Sequence, residues 1–114
     1  IDSEIHLDDL NRDFYNFHRK LAPFGPRNMK PVLVIKNVKI SGHVRYMGKD
    51  GNHIKFFIQQ PSTGRNIECI GFKFGKHAED FRNKTFNLAF TVEENHWKGN
   101  VSYFLNIRDV NFID

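Results

Sequence analysis

Positively charged side chains interleaved with aromatic rings are the feature of this sequence with the clearest chemical use. Lys39, His43 and Arg45 alternate along one stretch, and Lys55 and Phe57 along a second. Phe72, Lys73 and Phe74 follow along a third, with Lys76 and His77 just beyond. Trp97 adjoins Lys98, and Arg27 sits in a proline-rich corner. Cations beside flat rings suit a single nucleic-acid strand, because the cations track phosphates while each ring stacks any base for ~1–3 kcal/mol. Lys39, Arg45, Lys55 and Lys73 are the expected phosphate contacts. Phe57, Phe72 and Trp97 are the expected stacking platforms, with Arg27 and Lys76 as lesser candidates. The opposing reading makes Phe57, Phe72 and Phe74 core residues of a curved sheet, the commoner fate of any one Phe. Trp97 can equally act as a lid on a barrel end. The lysines alongside these rings favour a binding face.

Other chemistries find less support. The six histidines include no i, i+4 pair on a shared helix, and none stands at zinc spacing from Cys69. Cys69 falls in a predicted strand, where a buried and inert thiol is expected. Neither glycine-rich phosphate fingerprint occurs. The acidic pairs Glu79-Asp80 and Glu93-Glu94 fall in a linker or near a turn and read as solvated charge. No complete active site is expected, so neither a catalytic residue nor a metal ligand is assigned.

The elements that must position these residues follow from periodicity. Leu7, Leu10, Phe14, Phe17 and Leu21 share one face of a helix predicted over residues 7–21. Pro23 and Gly25 stop it. After Pro31 the period changes to two. Val38, Ile40, Val44 and Tyr46 alternate with polar residues along a long first strand, bent at Gly42. Lys49-Asp50-Gly51-Asn52 marks a hairpin turn. A second strand covers His53 to Gln59, with Ile54, Phe56 and Ile58 on one face, and a third runs from about Ile67 to Phe74. A polar linker compatible with helix spans residues 75–83. A fourth strand runs from Thr85 to Glu93, Asn95 to Asn100 form a turn carrying Trp97, and a fifth runs from Val101 to about Val110. Five strands, with a long bent first and an irregular link between third and fourth, fit a mainly β, five-stranded OB-fold Greek-key barrel with an N-terminal α-helix. An SH3-like barrel or an open sheet with one helix matches the strand count nearly as well.

Composition bounds these readings. A chain of 114 residues with twelve Phe suits one domain and can bury a core without staples. The twelve Phe exceed the needs of a small core, so some are expected on the surface. One cysteine permits no internal disulfide and fits a reducing, cytoplasmic compartment. No apolar run approaches the ~18 residues of a membrane span. Ile1 stands where a Met would start a gene product, so the chain is read as a piece of a longer protein. The net charge of +4 is uneven: residues 1–21 hold five acids and three bases, leaving 14 bases and 8 acids in residues 22–114. The cationic excess lies on the β part, which favours a polyanionic partner. Residues 1–22 are taken as a linker helix and residues 23–114 as the barrel domain.

The ordered motifs resemble a known family. The run Leu21-Ala22-Pro23-Phe24-Gly25-Pro26-Arg27-Asn28 is similar to the Pro-Phe-Gly corner that precedes the OB-fold domain of the RecJ family, single-strand-specific 5′→3′ DNA exonucleases. His53-Ile54-Lys55, Ile70-Gly71-Phe72-Lys73-Phe74-Gly75 and Asn95-His96-Trp97-Lys98-Gly99-Asn100 resemble later motifs of that domain, as does the ending Leu105-Asn106-Ile107-Arg108-Asp109. The resemblance covers nearly the whole chain. It departs at Arg27, where a Gly is usual, and at Met29-Lys30, which replace a Pro-acid pair. The resemblance implies a piece of a nuclease acting in DNA repair and recombination, which holds single-stranded DNA while another domain cuts it. The cutting domain implied is a DHH phosphoesterase module using Mn²⁺ or Mg²⁺, whose Asp-His-His motif this chain lacks. The implied partners are single-stranded DNA, that catalytic module and a single-strand-binding protein. A protein-docking module with no nucleic-acid contact is the alternative.

Overall fold

The computed structural model describes residues 3–20 and 30–113. The elements in chain order are β1 (Ser3–Glu4), a 3-10 turn (Leu7–Asp9), α1 (Arg12–Lys20), β2 (Leu33–Val38), β3 (Ile40–Met47), β4 (His53–Gln59) and β5 (Asn66–Gly71). A second 3-10 turn (Gly75–His77), α2 (Ala78–Asn83), β6 (Phe86–Trp97) and β7 (Asn100–Phe112) complete the chain.

The strands form one seven-stranded sheet in the order β1-β2-β6-β7-β5-β4-β3. The long strand expected over Val38 to Tyr46 corresponds to β3 and the end of β2, and β2 carries it back to Leu33. Only Lys39 separates them, yet β2 pairs with β6 and β3 with β4. A strand that joins both sides of its own sheet closes that sheet into a barrel. The break comes at Asn37, whose φ of 58° is held by an N–H bond to the Asn87 side chain at 3.0 Å. Gly42, with φ 84°, lies in a second irregularity between Ser41 and Arg45, at the expected bend. The expectation of five strands is corrected to seven, by this split and by β1, which joins β2 in parallel. The overall class remains a mainly β OB fold.

Alternation explains the core. Ile54, Phe56 and Ile58 of β4 are fully buried, and Lys55 and Phe57 between them are half-exposed. α2 closes the barrel beneath them. Its Phe81 lies 4.8 Å from Phe56 and 5.0 Å from Phe86, ring centroid to centroid. The last contact is edge-to-face, a geometry worth about 0.5–1.5 kcal/mol beyond area burial. Phe90 is also buried, whereas Phe17 and Phe72 are exposed.

Three boundaries differ from the sequence reading. β5 ends at Gly71, before Phe72 and Lys73, because the chain turns there with Lys73 at φ 68°. The β6–β7 hairpin stays paired to Trp97 and Asn100, and its turn is only Lys98-Gly99, both at positive φ. α1 starts a new helical phase at Asn11, whose side chain accepts the Phe14 N–H at 3.0 Å as an N-cap. That restart turns Phe17 outward to 62% exposure and His18 inward. Of the expected apolar face Leu10 enters the core, Leu7 and Phe14 pack against it, and Leu21 lies outside the described residues. α1 docks on the hairpin through Tyr15, stacked on Tyr103 with centroids 4.1 Å apart and planes within 7°.

Candidate nucleic-acid interface

Residues directly opposite in paired strands share a face. One outward row runs Arg45, Lys55, Ile70, Asn106 across β3, β4, β5 and β7. The next runs Ser41, Phe57, Glu68, Phe104, Glu93 and ends on β6. The outer surface of β3 and β4 therefore brings Arg45, Lys55 and Phe57 together, as the interleaved pattern predicts. Lys55 is not free: its Nζ lies 3.4 Å from a Glu68 carboxylate oxygen and 6.0 Å from the centre of the Phe57 ring. Arg45 is exposed and makes no ion pair among the described residues.

The two ends of this surface are built differently. At the β3–β4 turn, His53 shares the outward side of β4 with Lys55 and Phe57. The Phe72 ring meets His53 edge-on, with centroids 5.5 Å apart, and the Lys73 N–H donates to His53 Nδ1 at 2.8 Å. Gly75 fastens the same turn. Its N–H donates to Asn52 O at 2.8 Å, and a Cβ there would stand 2.5 Å from Gly51 O. Only glycine allows this approach. Phe72 and Lys73 thus leave the predicted third strand but still stand beside the surface. Phe74 turns back to pack against the core.

At the other end Trp97 is 69% exposed on the outward side of the hairpin, in register with Glu93 and Asn95. Lys98 Nζ lies 5.5 Å from its ring. A ring this exposed, at the last pair of the hairpin, does not cover the barrel end as a lid would. Lys39, at the junction of β2 and β3, opens on a groove with Ser41 and Gln59. Lys76 is exposed on the second 3-10 turn, off the strands. Arg27 and the Pro-Phe-Gly corner lie outside the described residues.

Sequence reasoning passed over Phe104, which the register puts in the outward row beside Glu68, and Arg65, an exposed cation with no ion pair among the described residues. Phe104 was within reach, since an inward Tyr103, Leu105 and Ile107 leave it outward. Arg65 follows an ordinary turn, and no local signal marks it. The acids on β6 are also engaged. Glu93 pairs with Lys30 and accepts the Thr91 hydroxyl at 2.9 Å. Burial opposes its charge, but hydrogen bonds from Lys30, Thr91 and Asn106 and the Lys30 charge outweigh burial and hold the carboxyl below its usual range. Arg19 binds Glu94 at 3.1 Å. Among the described residues no group of three or more His, Cys, Asp or Glu stands ready for a metal. Cys69 is fully buried, and burial pushes its thiol pKa up, away from nucleophilic use. No helix among the described residues is long and apolar enough to cross a membrane.

Comparison with known proteins agrees with this architecture. The chain is 24% identical over 110 residues to the single-stranded-DNA-specific exonuclease RecJ of Bacillus subtilis, covering 96% of this chain and 14% of that protein. RecJ from Thermus thermophilus, solved with Mn²⁺, superposes with a TM-score of 0.59 at 20% identity, over 89% of this chain and 14% of that one. A mitochondrial single-stranded DNA-binding protein of S. cerevisiae superposes with a TM-score of 0.55 at 13% identity, over 75% of this chain and 95% of that one. The chain thus spans a small part of the RecJ proteins it matches. The family model of the RecJ OB domain matches residues 1–109, and the chain belongs to that family.

Proposed function

We propose that this domain grips single-stranded DNA for a RecJ-type 5′→3′ exonuclease of DNA repair and recombination. In this reading the cutting is done in the cytoplasm by a DHH module with Mn²⁺ or Mg²⁺, elsewhere in the same polypeptide. On the same reading residues 23–114 make up most of the gripping barrel, and residues 1–22 lead into it while lending β1 to its sheet. The observation that carries the reading is the outward line His53, Lys55, Phe57 on β4, flanked by Arg45 and ended by Phe72 and Trp97. Phosphates track Arg45, Lys55, Lys73 and Lys39, and bases stack on Phe57, Phe72 and Trp97. Lys76 and Arg27 add charge at the margins.

The test is a fluorescence-anisotropy titration of the chain with a labelled oligo-dT at several salt concentrations. Counterion release predicts that log affinity falls linearly with log salt, by about 0.7 for each phosphate neutralised. An affinity indifferent to salt, or no binding at low salt, contradicts the reading.

One observation favours a second reading, docking onto the catalytic module or a single-strand-binding protein. Phe17 is 62% exposed on a helix held in place by the Tyr15–Tyr103 stack. A large ring fixed outward on a rigid support has the form of an interface anchor. Phe17→Ser then weakens association with the catalytic module and leaves oligo-dT affinity unchanged. The reverse pattern excludes docking through this helix.

A further inference from the structure

Where β5 begins and the β6–β7 hairpin leaves the barrel, a cleft of about 330 Å³ opens beside the gripping surface. Its apolar lining comes from Phe57 and from the Tyr15–Tyr103 pair. Its polar lining includes Arg65, Asn66, Asn95 and Ser102. None of these four side chains makes a hydrogen bond or ion pair with another described residue. Exposed amides and a hydroxyl lining the same cleft as aromatic rings offer two things at once, an apolar slot and donors and acceptors not engaged by another described residue. The size lies at the lower end of small-molecule sites, which run from ~300 to 1,000 Å³. A second cleft adjoins it, sharing Tyr15, Arg65 and Tyr103 and adding Arg12 and Arg19. Arg19 is bound to Glu94, whereas Arg12 and Arg65 make no ion pair among the described residues. Burial pushes the Tyr15 hydroxyl up to about 12, so it stays a neutral hydrogen-bonding group.

We propose that this cleft takes one unstacked nucleobase of the bound strand, with Asn66, Asn95 and Ser102 meeting its polar edge and Arg65 its phosphate. The proposal rests on the single-strand reading above and adds to it. The open strand surface stacks bases without reading them, whereas the cleft holds one base by its edge. The path is continuous, because Phe57 belongs to both the β4 surface and the cleft wall.

The experiment compares a ten-nucleotide dT oligomer with an oligomer of the same length made of abasic deoxyribose phosphates. Wild-type chain is expected to prefer the dT oligomer. In Asn66→Ala/Ser102→Ala that preference falls roughly fivefold, the lower range for one base contact, and abasic affinity is unchanged. Arg65→Ala weakens both oligomers by the same factor. Asn66 and Ser102 are exposed, so the fold should persist; thermal melting checks this, and Ser102→Ala alone gives a milder form of the test. Cross-linking with 5-iodouracil in the dT oligomer should label a peptide containing Tyr103 or Phe57. If the double variant keeps the wild-type preference while Lys55→Ala still weakens binding, the base cleft is wrong and the strand surface stands. If wild-type chain binds neither oligomer, both fall.

Discussion

The outer face of the barrel has two halves that hold their charge in opposite ways. On the β3–β4 half, Arg45 lacks an ion pair among the described residues and Lys55 shares itself between Glu68 and the Phe57 ring. On the β6 half the charges are acidic and already answered. Lys30 binds Glu93 there, and behind it, on the Tyr103 side of the strand, Arg19 binds Glu94. Both answering cations come from residues before β2. Arg19 of the acidic N-terminal segment and Lys30 beyond it are thus engaged by β6, which leaves the cations of β3 and β4 for a ligand. The net charge of +4 hides this division. What matters for binding a polyanion is which cations remain unengaged, and where they stand together.

The largest effect should come from removing the ring at the centre of the gripping half. Phe57→Ala is expected to weaken oligo-dT binding by ~1–3 kcal/mol, read by anisotropy at low salt. A loss no greater than that from Ala at Phe17 would move the contact off this half.

The other half should answer in stability instead. Glu93→Gln is expected to lower stability at neutral pH by about 1–2 kcal/mol, a value kept small because Lys30 is partly exposed. Oligo-dT affinity should change less than in Glu68→Gln, because Glu93 stands two strands further than Glu68 along the row from Lys55 and Phe57. The folded carboxyl titrates below its ordinary 4.5, so ionised Glu93 adds stability above that value. This stability is lost as pH falls through the lowered folded pKa. Wild type and variant should therefore converge in denaturant melts on acidification, and a gap that widens below pH 4.5 would contradict the assignment.

Two smaller effects sharpen the contrast. Arg45→Ala should reduce the slope of log affinity against log salt by about one phosphate's worth, ~0.7, without altering thermal stability. Glu68→Gln should raise affinity by a factor of roughly two to five, since it releases Lys55 and removes a negative charge from the phosphate path, as expected for a partly exposed ion pair. A fall in affinity would mean that Glu68 orients Lys55 for binding.

Much of this was legible in the sequence because it depends on local alternation. β4 has the predicted bounds, and the outward placement of Lys55 and Phe57 follows from the burial of Ile54, Phe56 and Ile58. What escaped depends on contacts between distant residues. The split of the first strand is held by Asn87, 50 positions from Asn37. The neutralisation of Glu93 needs Lys30, 63 positions away. Phe17 was placed inward by carrying one helical phase across Leu10, where the capped helix starts afresh at Asn11. Trp97 was assigned to a loop because its turn signal, Lys98-Gly99, needs only two residues and lets the strands run further. Arg65 acquires meaning only when the hairpin brings Ser102 and Tyr103 beside it.

The division of the face is tested most directly by amide chemical-shift mapping of the ¹⁵N-labelled chain as oligo-dT is added. The largest shifts are predicted at Arg45, Lys55, Phe57 and Ile70, extending to Phe104 and Arg65, with the β2-paired part of β6 silent. Shifts centred on Val34, Ala89 and Val110 instead, with β3 and β4 unmoved, would place the strand on the other side of the barrel and contradict the account.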